Sequence, residues 1–109
     1  MSASNVAEAV EIMKSRFNPS AASGLNAVYQ VNLTGAEPSQ HYLAIKDGGL
    51  ETAEGVHDSP NITINMASAD FVAMTNGQLN PTMAYMSGKL KISGDMGLAM
   101  KMQSIFPQK

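Results

Sequence analysis

Leu79-Asn80-Pro81-Thr82-Met83-Ala84-Tyr85-Met86-Ser87-Gly88-Lys89-Leu90-Lys91-Ile92 runs straight on into Ser93-Gly94-Asp95-Met96-Gly97-Leu98-Ala99-Met100-Lys101, and its punctuation decides the fold. Asn80 reads as a helix N-cap with Pro81 in the first turn, where proline's missing N–H costs no intrahelical bond. Gly88 stops that helix. Lys89-Leu90-Lys91-Ile92-Ser93 alternates outward charge with inward aliphatics, as a short edge strand does. Gly94 turns the chain, Asp95 caps a last helix and Pro107 ends it. Upstream, Ser68 reads as the cap of another short helix carrying Asp70, Phe71 and Met74, stopped near Gly77.

Outward from that stretch, Asn5 and Glu8 form a capping pair at the start of a first helix. Val6, Ala9, Val10, Met13 and Phe17 recur on one face of it, and Phe17-Asn18-Pro19 ends it. From Leu25 the period changes to two: Leu25, Ala27, Tyr29, Val31 and Leu33 alternate with more polar neighbours along a half-buried strand. A polar loop over 35–40 leads to a second strand, His41 to Lys46. Asp47-Gly48-Gly49 is hairpin chemistry and joins it to a third, Leu50 to Glu54. Ile62, Ile64 and Met66 mark a fourth. The expected order is α-ββββ-αα-β-α, with residues 1–109 forming a single α+β domain (an α/β sandwich). Its sheet is mostly antiparallel, its first four strands follow one another as a meander, and helices cover mainly one face.

Composition narrows the function. Net charge is −2 over 109 residues with no basic run, which excludes a nucleic-acid footprint and argues against standing attachment to anionic membrane, while leaving brief membrane contact open. There is no cysteine, so no disulfide, thiol nucleophile or thiolate metal site. The N-terminus has no leader pattern and no apolar run approaches membrane-spanning length, so a soluble cytoplasmic protein is expected. His41 and His57 lack metal-ligand spacing and read as solvated surface residues. No nucleophile elbow, phosphate-cradling loop or dinucleotide fingerprint is present. Nothing calls for catalysis, a metal or a cofactor. The chain has nine Met against three Phe, three Tyr and no Trp. Methionine either fills gaps in an ordinary core or lines a cavity that re-packs around varied apolar ligands. The clustering from Met66 to Met102 favours the second.

The run Gly88-Lys89-Leu90-Lys91-Ile92-x-Gly94-Asp95-Met96-Gly97-Leu98-Ala99-Met100-Lys101 resembles the signature of the sterol carrier protein type 2 family. Asp70-Phe71-x-x-Met74-x-x-Gly77-x-Leu79-Asn80-Pro81 is similar to the same family, as is the order of elements along nearly the whole chain. The resemblance implies a five-stranded sheet covered by helices, with a hydrophobic tunnel between the layers. It also implies non-enzymatic binding and transfer of fatty acids, fatty acyl-coenzyme A, phospholipids or sterols. Some relatives are parts of larger lipid-metabolic enzymes, so presentation of lipid to such a partner is an alternative, and an interaction module with a solid interior is a third. The C-terminal Phe106-Pro107-Gln108-Lys109 departs from the peroxisomal address of other members, which points to a stand-alone bacterial one. Oligomeric state is not legible.

Projecting the outer helices at about 100° per residue locates candidate ligand contacts. On the last helix Gln103 falls inside the apolar arc, where a buried amide must bond a backbone carbonyl, a water or a lipid head group. On the first, Arg16 lies between Ile12 and Ala9, beside Met13. It either snorkels to water or an acid, or receives a carboxylate or phosphate head group at the tunnel mouth. For the acyl chain the candidates are Met13, Phe17, Met74, Met83, Met86, Met102, Ile105 and Phe106, each equally able to be plain core.

Overall fold

Asn5 Oδ1 accepts from the Glu8 backbone N–H at 2.9 Å, and Glu8 Oε1 reaches back to the Ser4 N–H at 2.7 Å, which together start helix α1 (Val6–Ser15). The computed structural model describes residues 2–107; Gln108 and Lys109, the end of the run read above for an address signal, lie outside the described residues. After α1 come strands β1 (Asn26–Thr34), β2 (Ser39–Lys46), β3 (Gly49–Glu54) and β4 (Ile62–Ala67), helices α2 (Ser68–Thr75) and α3 (Pro81–Met86), strand β5 (Leu90–Gly94) and helix α4 (Met96–Ile105). Between β2 and β3, Asp47 and Gly48 both have positive φ, 50° and 79°, the two-residue turn whose twist matches an antiparallel pair.

The five strands form one sheet in the order β3-β2-β1-β4-β5. Every neighbouring pair is antiparallel except β1 and β4, which run parallel. The expected meander therefore holds only for β1 to β3. The chain then crosses back to the far side of β1, because a parallel neighbour cannot be reached by a hairpin. The crossing segment is pinned to the sheet's polar face by Gln30, which is 1% exposed. The Gln30 amide donates to Gly55 O at 3.0 Å, and its carbonyl accepts from the His57 backbone N–H at 2.8 Å. The His57 ring stands edge-on to Tyr42 and is half-buried, as is His41, so neither is the solvated surface residue expected.

The other sheet face is apolar. Tyr29, Val31 and Leu33 of β1 stand in register with Ile62, Ile64 and Met66 of β4, and on the outer side Ile64 and Met66 pair with Ile92 and Leu90. All four helices cover this face. The expected cap of α2 is corrected: Ser68 is buried and its hydroxyl accepts from the Glu37 N–H at 3.1 Å instead of closing the helix start. Asn80 and Asp95 do cap α3 and α4, each side chain accepting from two backbone N–H groups.

Candidate functional site

The helices do not sit flush on the sheet. Two clefts open between the layers, each about 560 Å³. The larger set of walls surrounds the one over β4 and β5. Its floor is Val31, Ile64, Met66, Leu90 and Ile92. Around it stand Met13 and Arg16 of α1, Phe71, Met74 and Thr75 of α2, Pro81, Thr82 and Tyr85 of α3, and Met96, Ala99, Met100, Met102 and Gln103 of α4, with Phe106 beyond. Thioether and aliphatic side chains dominate, and flexible methionine can re-pack around irregular apolar shapes. Arg16 is the single charged residue in that lining.

Arg16 follows the last turn of α1 and is half-buried. Its Nη1 donates to Thr75 O at 2.8 Å, placing the cation at the C-terminal end of α2, where the helix dipole favours positive charge. A guanidinium has five N–H donors. Among the described residues the one ion pair is Lys14 with Glu11, so Arg16 has no carboxylate partner there, and it lines the cleft.

The ten residues singled out by spacing divide. Met13, Arg16, Met74, Met102, Gln103 and Phe106 are brought together on this cleft. Phe17, Met83, Met86 and Ile105 are not. Phe17 packs its ring against Phe106, centroids 5.7 Å apart, and Ile105 is fully buried with its carbonyl accepting from the Asn18 N–H at 2.8 Å. Met83 and Met86 are 63% and 76% exposed, because the six-residue α3 turns Pro81 and Tyr85 to the cleft and leaves the opposite face to water. Gln103 also needs correction. It is exposed at the cleft rim rather than buried in an apolar arc, so water satisfies its amide and no internal partner is required. Spacing missed Tyr85, Met96 and Met100, which form an exposed apolar lip. Their signal lay in the number of large apolar residues on elements too short to bury them all.

Behind the lip, Tyr29 is fully buried and its hydroxyl donates to Leu98 O at 2.8 Å, tying α4 to the central strand. Burial, and secondarily the charge of Asp95, push its pKa up to about 12. The second cleft lies over β2 and β3 beneath α1. Its rim carries Glu11, Glu37, Glu54 and His41, and its interior is apolar. Among the described residues no cluster of His, Asp, Glu or Cys could hold a metal, and no helix is long and apolar enough to cross a membrane.

Compared with known proteins, residues 9–107 match the SCP-2 sterol transfer family. Hydroxysteroid dehydrogenase-like protein 2 of Xenopus tropicalis is 38% identical over 102 residues, 93% of this chain and 24% of that protein. The mouse protein of the same name is 38% identical over 104 residues, 94% of this chain and 21% of that one. The chain thus spans about a quarter or less of these two relatives. Among solved structures, palmitated SCP2L2 from Aedes aegypti superposes with a TM-score of 0.81 at 27% identity, covering 95% of this chain and 96% of that one.

Proposed function

The chain belongs to the SCP-2 sterol transfer family, and from that premise we propose that the cleft over β4 and β5 holds the hydrocarbon tail of a long-chain fatty acid or fatty acyl-coenzyme A, carried without chemical change. Sterol and phospholipid are weaker candidates, because the observation that carries the reading is the pairing of an apolar cleft with one cation. Each methylene moved out of water contributes about 0.8 kcal/mol, so a tail binds well without directional contacts, and length matters more than identity. Arg16 supplies the directional part: one N–H holds the end of α2, and the others meet a carboxylate or phosphate. The solved Aedes aegypti relative is palmitated, which supports an acyl ligand of this kind.

Displacement of a fluorescent fatty acid by palmitate and by the alcohol of the same chain length tests the assignment. Hydrogen bonds to charged groups contribute about 1.5–3 kcal/mol, so Arg16→Ala is expected to weaken palmitate binding roughly tenfold or more and alcohol binding little. Equal losses for both ligands refute the head-group role, and no displacement by either refutes the lipid site. A second reading, delivery of the lipid to a catalytic partner, is favoured by the dehydrogenase-like names of relatives in which this sequence is a minor part. In either reading the carrier is taken to be cytoplasmic.

A further inference from the structure

The two clefts lie on the same sheet face and share three residues: Met13, Val31 and Phe71 line both. Val31 belongs to the central strand β1, flanked by β2 and its cleft on one side and by β4 and its cleft on the other. Met13 comes from α1 and Phe71 from α2. The two clefts therefore adjoin at these three shared side chains. Val31 has a stiff branched side chain, whereas Met13 is half-buried, unbranched and free to change rotamer. Charge gives the pair a direction. One half has Arg16 as its single charge, and the other is rimmed by Glu11, Glu37 and Glu54.

We propose that Met13 and Phe71 form an internal gate which a long acyl chain displaces, running from a head group at Arg16 to a methyl end in the glutamate-rimmed cleft beneath α1. The inference rests on the proposed lipid site and adds the polarity of the bound chain and a second compartment for its tail. A carboxylate is attracted to Arg16 and repelled by Glu37 and Glu54, the Glu11 charge being offset by Lys14 at 3.1 Å, so the reverse orientation is disfavoured at both ends. A chain short enough to stay on the Arg16 side does not need the gate to open.

Amide NMR of the intact protein with two spin-labelled stearates reads the path directly. A label beside the carboxylate is expected to erase the signals of Thr75 and Arg16, and a label near the methyl end those of Leu43, Thr52 and Ala53. Should the methyl-end label instead erase Tyr85, Met96 and Met100 while Ala53 stays sharp, the through-passage is wrong, though the lipid site stands. Erasure by neither label removes both. As a second measurement, Met13→Trp narrows the gate. It is expected to weaken palmitate at least ~tenfold more than octanoate, the effect of leaving two methylenes unburied, since Met13 also lines the Arg16-side cleft that both acids occupy. Equal effects on the two acids would overturn the gate.

Discussion

Replacing Gly94 with alanine should destabilise this protein far more than the same change at Gly88. Gly94 ends β5 opposite Ile62, and the next residue, Asp95, donates its N–H to Asn61 O at 3.1 Å. Its φ is +108°, and a Cβ placed there would lie 2.6 Å from Asn61 O and 3.0 Å from the Ile62 Cα. Both neighbours are backbone, so no rotamer change relieves the clash. Holding a non-glycine residue in such a backbone region costs about 1–3 kcal/mol, and overpacking a filled site adds about 1–3 kcal/mol. Together they make a loss of about 2–6 kcal/mol, against a total stability of order 5–15 kcal/mol for a domain of this size. Gly88 has φ +83° with nothing within 4 Å of its virtual Cβ, so it bears the backbone term alone, about 1–2 kcal/mol. Urea melts followed by circular dichroism measure both variants, the midpoint falling in proportion to the loss while the slope is unchanged. If Gly94→Ala loses no more than Gly88→Ala, the close approach of β5 to β4 at Asn61 is not what that glycine serves.

Tyr29→Phe removes the buried hydroxyl bond to Leu98 O and should cost about 1–3 kcal/mol in denaturant melts at neutral pH. The folded-state pKa of Tyr29 is raised from 10.0 to about 12, so its protonated form is favoured by folding. Its contribution is complete below pH 10 and is lost as pH rises through about 12, an alkaline loss of order 2–3 kcal/mol which the phenylalanine variant should lack. Gln30→Ala leaves the Gly55 carbonyl and the His57 N–H without their partner and should cost about 1–3 kcal/mol, with faster amide exchange over 55–61. Met83→Ala and Met86→Ala change exposed side chains off the cleft and should leave stability within about 0.5 kcal/mol. Palmitate displacement by these two should match the parent, and a tenfold loss in either would put α3's outer face in contact with ligand.

Element types were legible because each is announced by local chemistry: Asn80 and Asp95 accept the N–H groups their helices leave unpaired, and Asp47-Gly48 tolerates two positive φ values. Strand order was not. The alternation in β1 assigns Gln30 to the polar face correctly, yet it says nothing of the segment that covers that face. The crossing from β3 to β4 is decided by two long-range bonds to the Gln30 amide, which no local pattern encodes. Ser68 shows the same limit. Its residue type fits a cap, but the Glu37 N–H competes for the hydroxyl across 31 positions of sequence.

The site was legible only in part, for a reason visible within α4. Met102 and Ile105 are three residues apart on one arc, and a helical projection treats them alike. Ile105 is sealed because the connector after α1 packs on it, through the Asn18 bond to its carbonyl and the Phe17–Phe106 ring contact. Met102 faces the interlayer space, where nothing arrives from the sheet to fill it. Wall and core are thus distinguished by what stands across the gap, a property of two layers that no single helix carries in its own residues. Charge at the rims is different, since a cation or carboxylate keeps its chemistry wherever the gap falls. The proposed ligand and its proposed orientation therefore rest on Arg16 at one cleft and on Glu37 and Glu54 at the other, more than on the abundance of methionine.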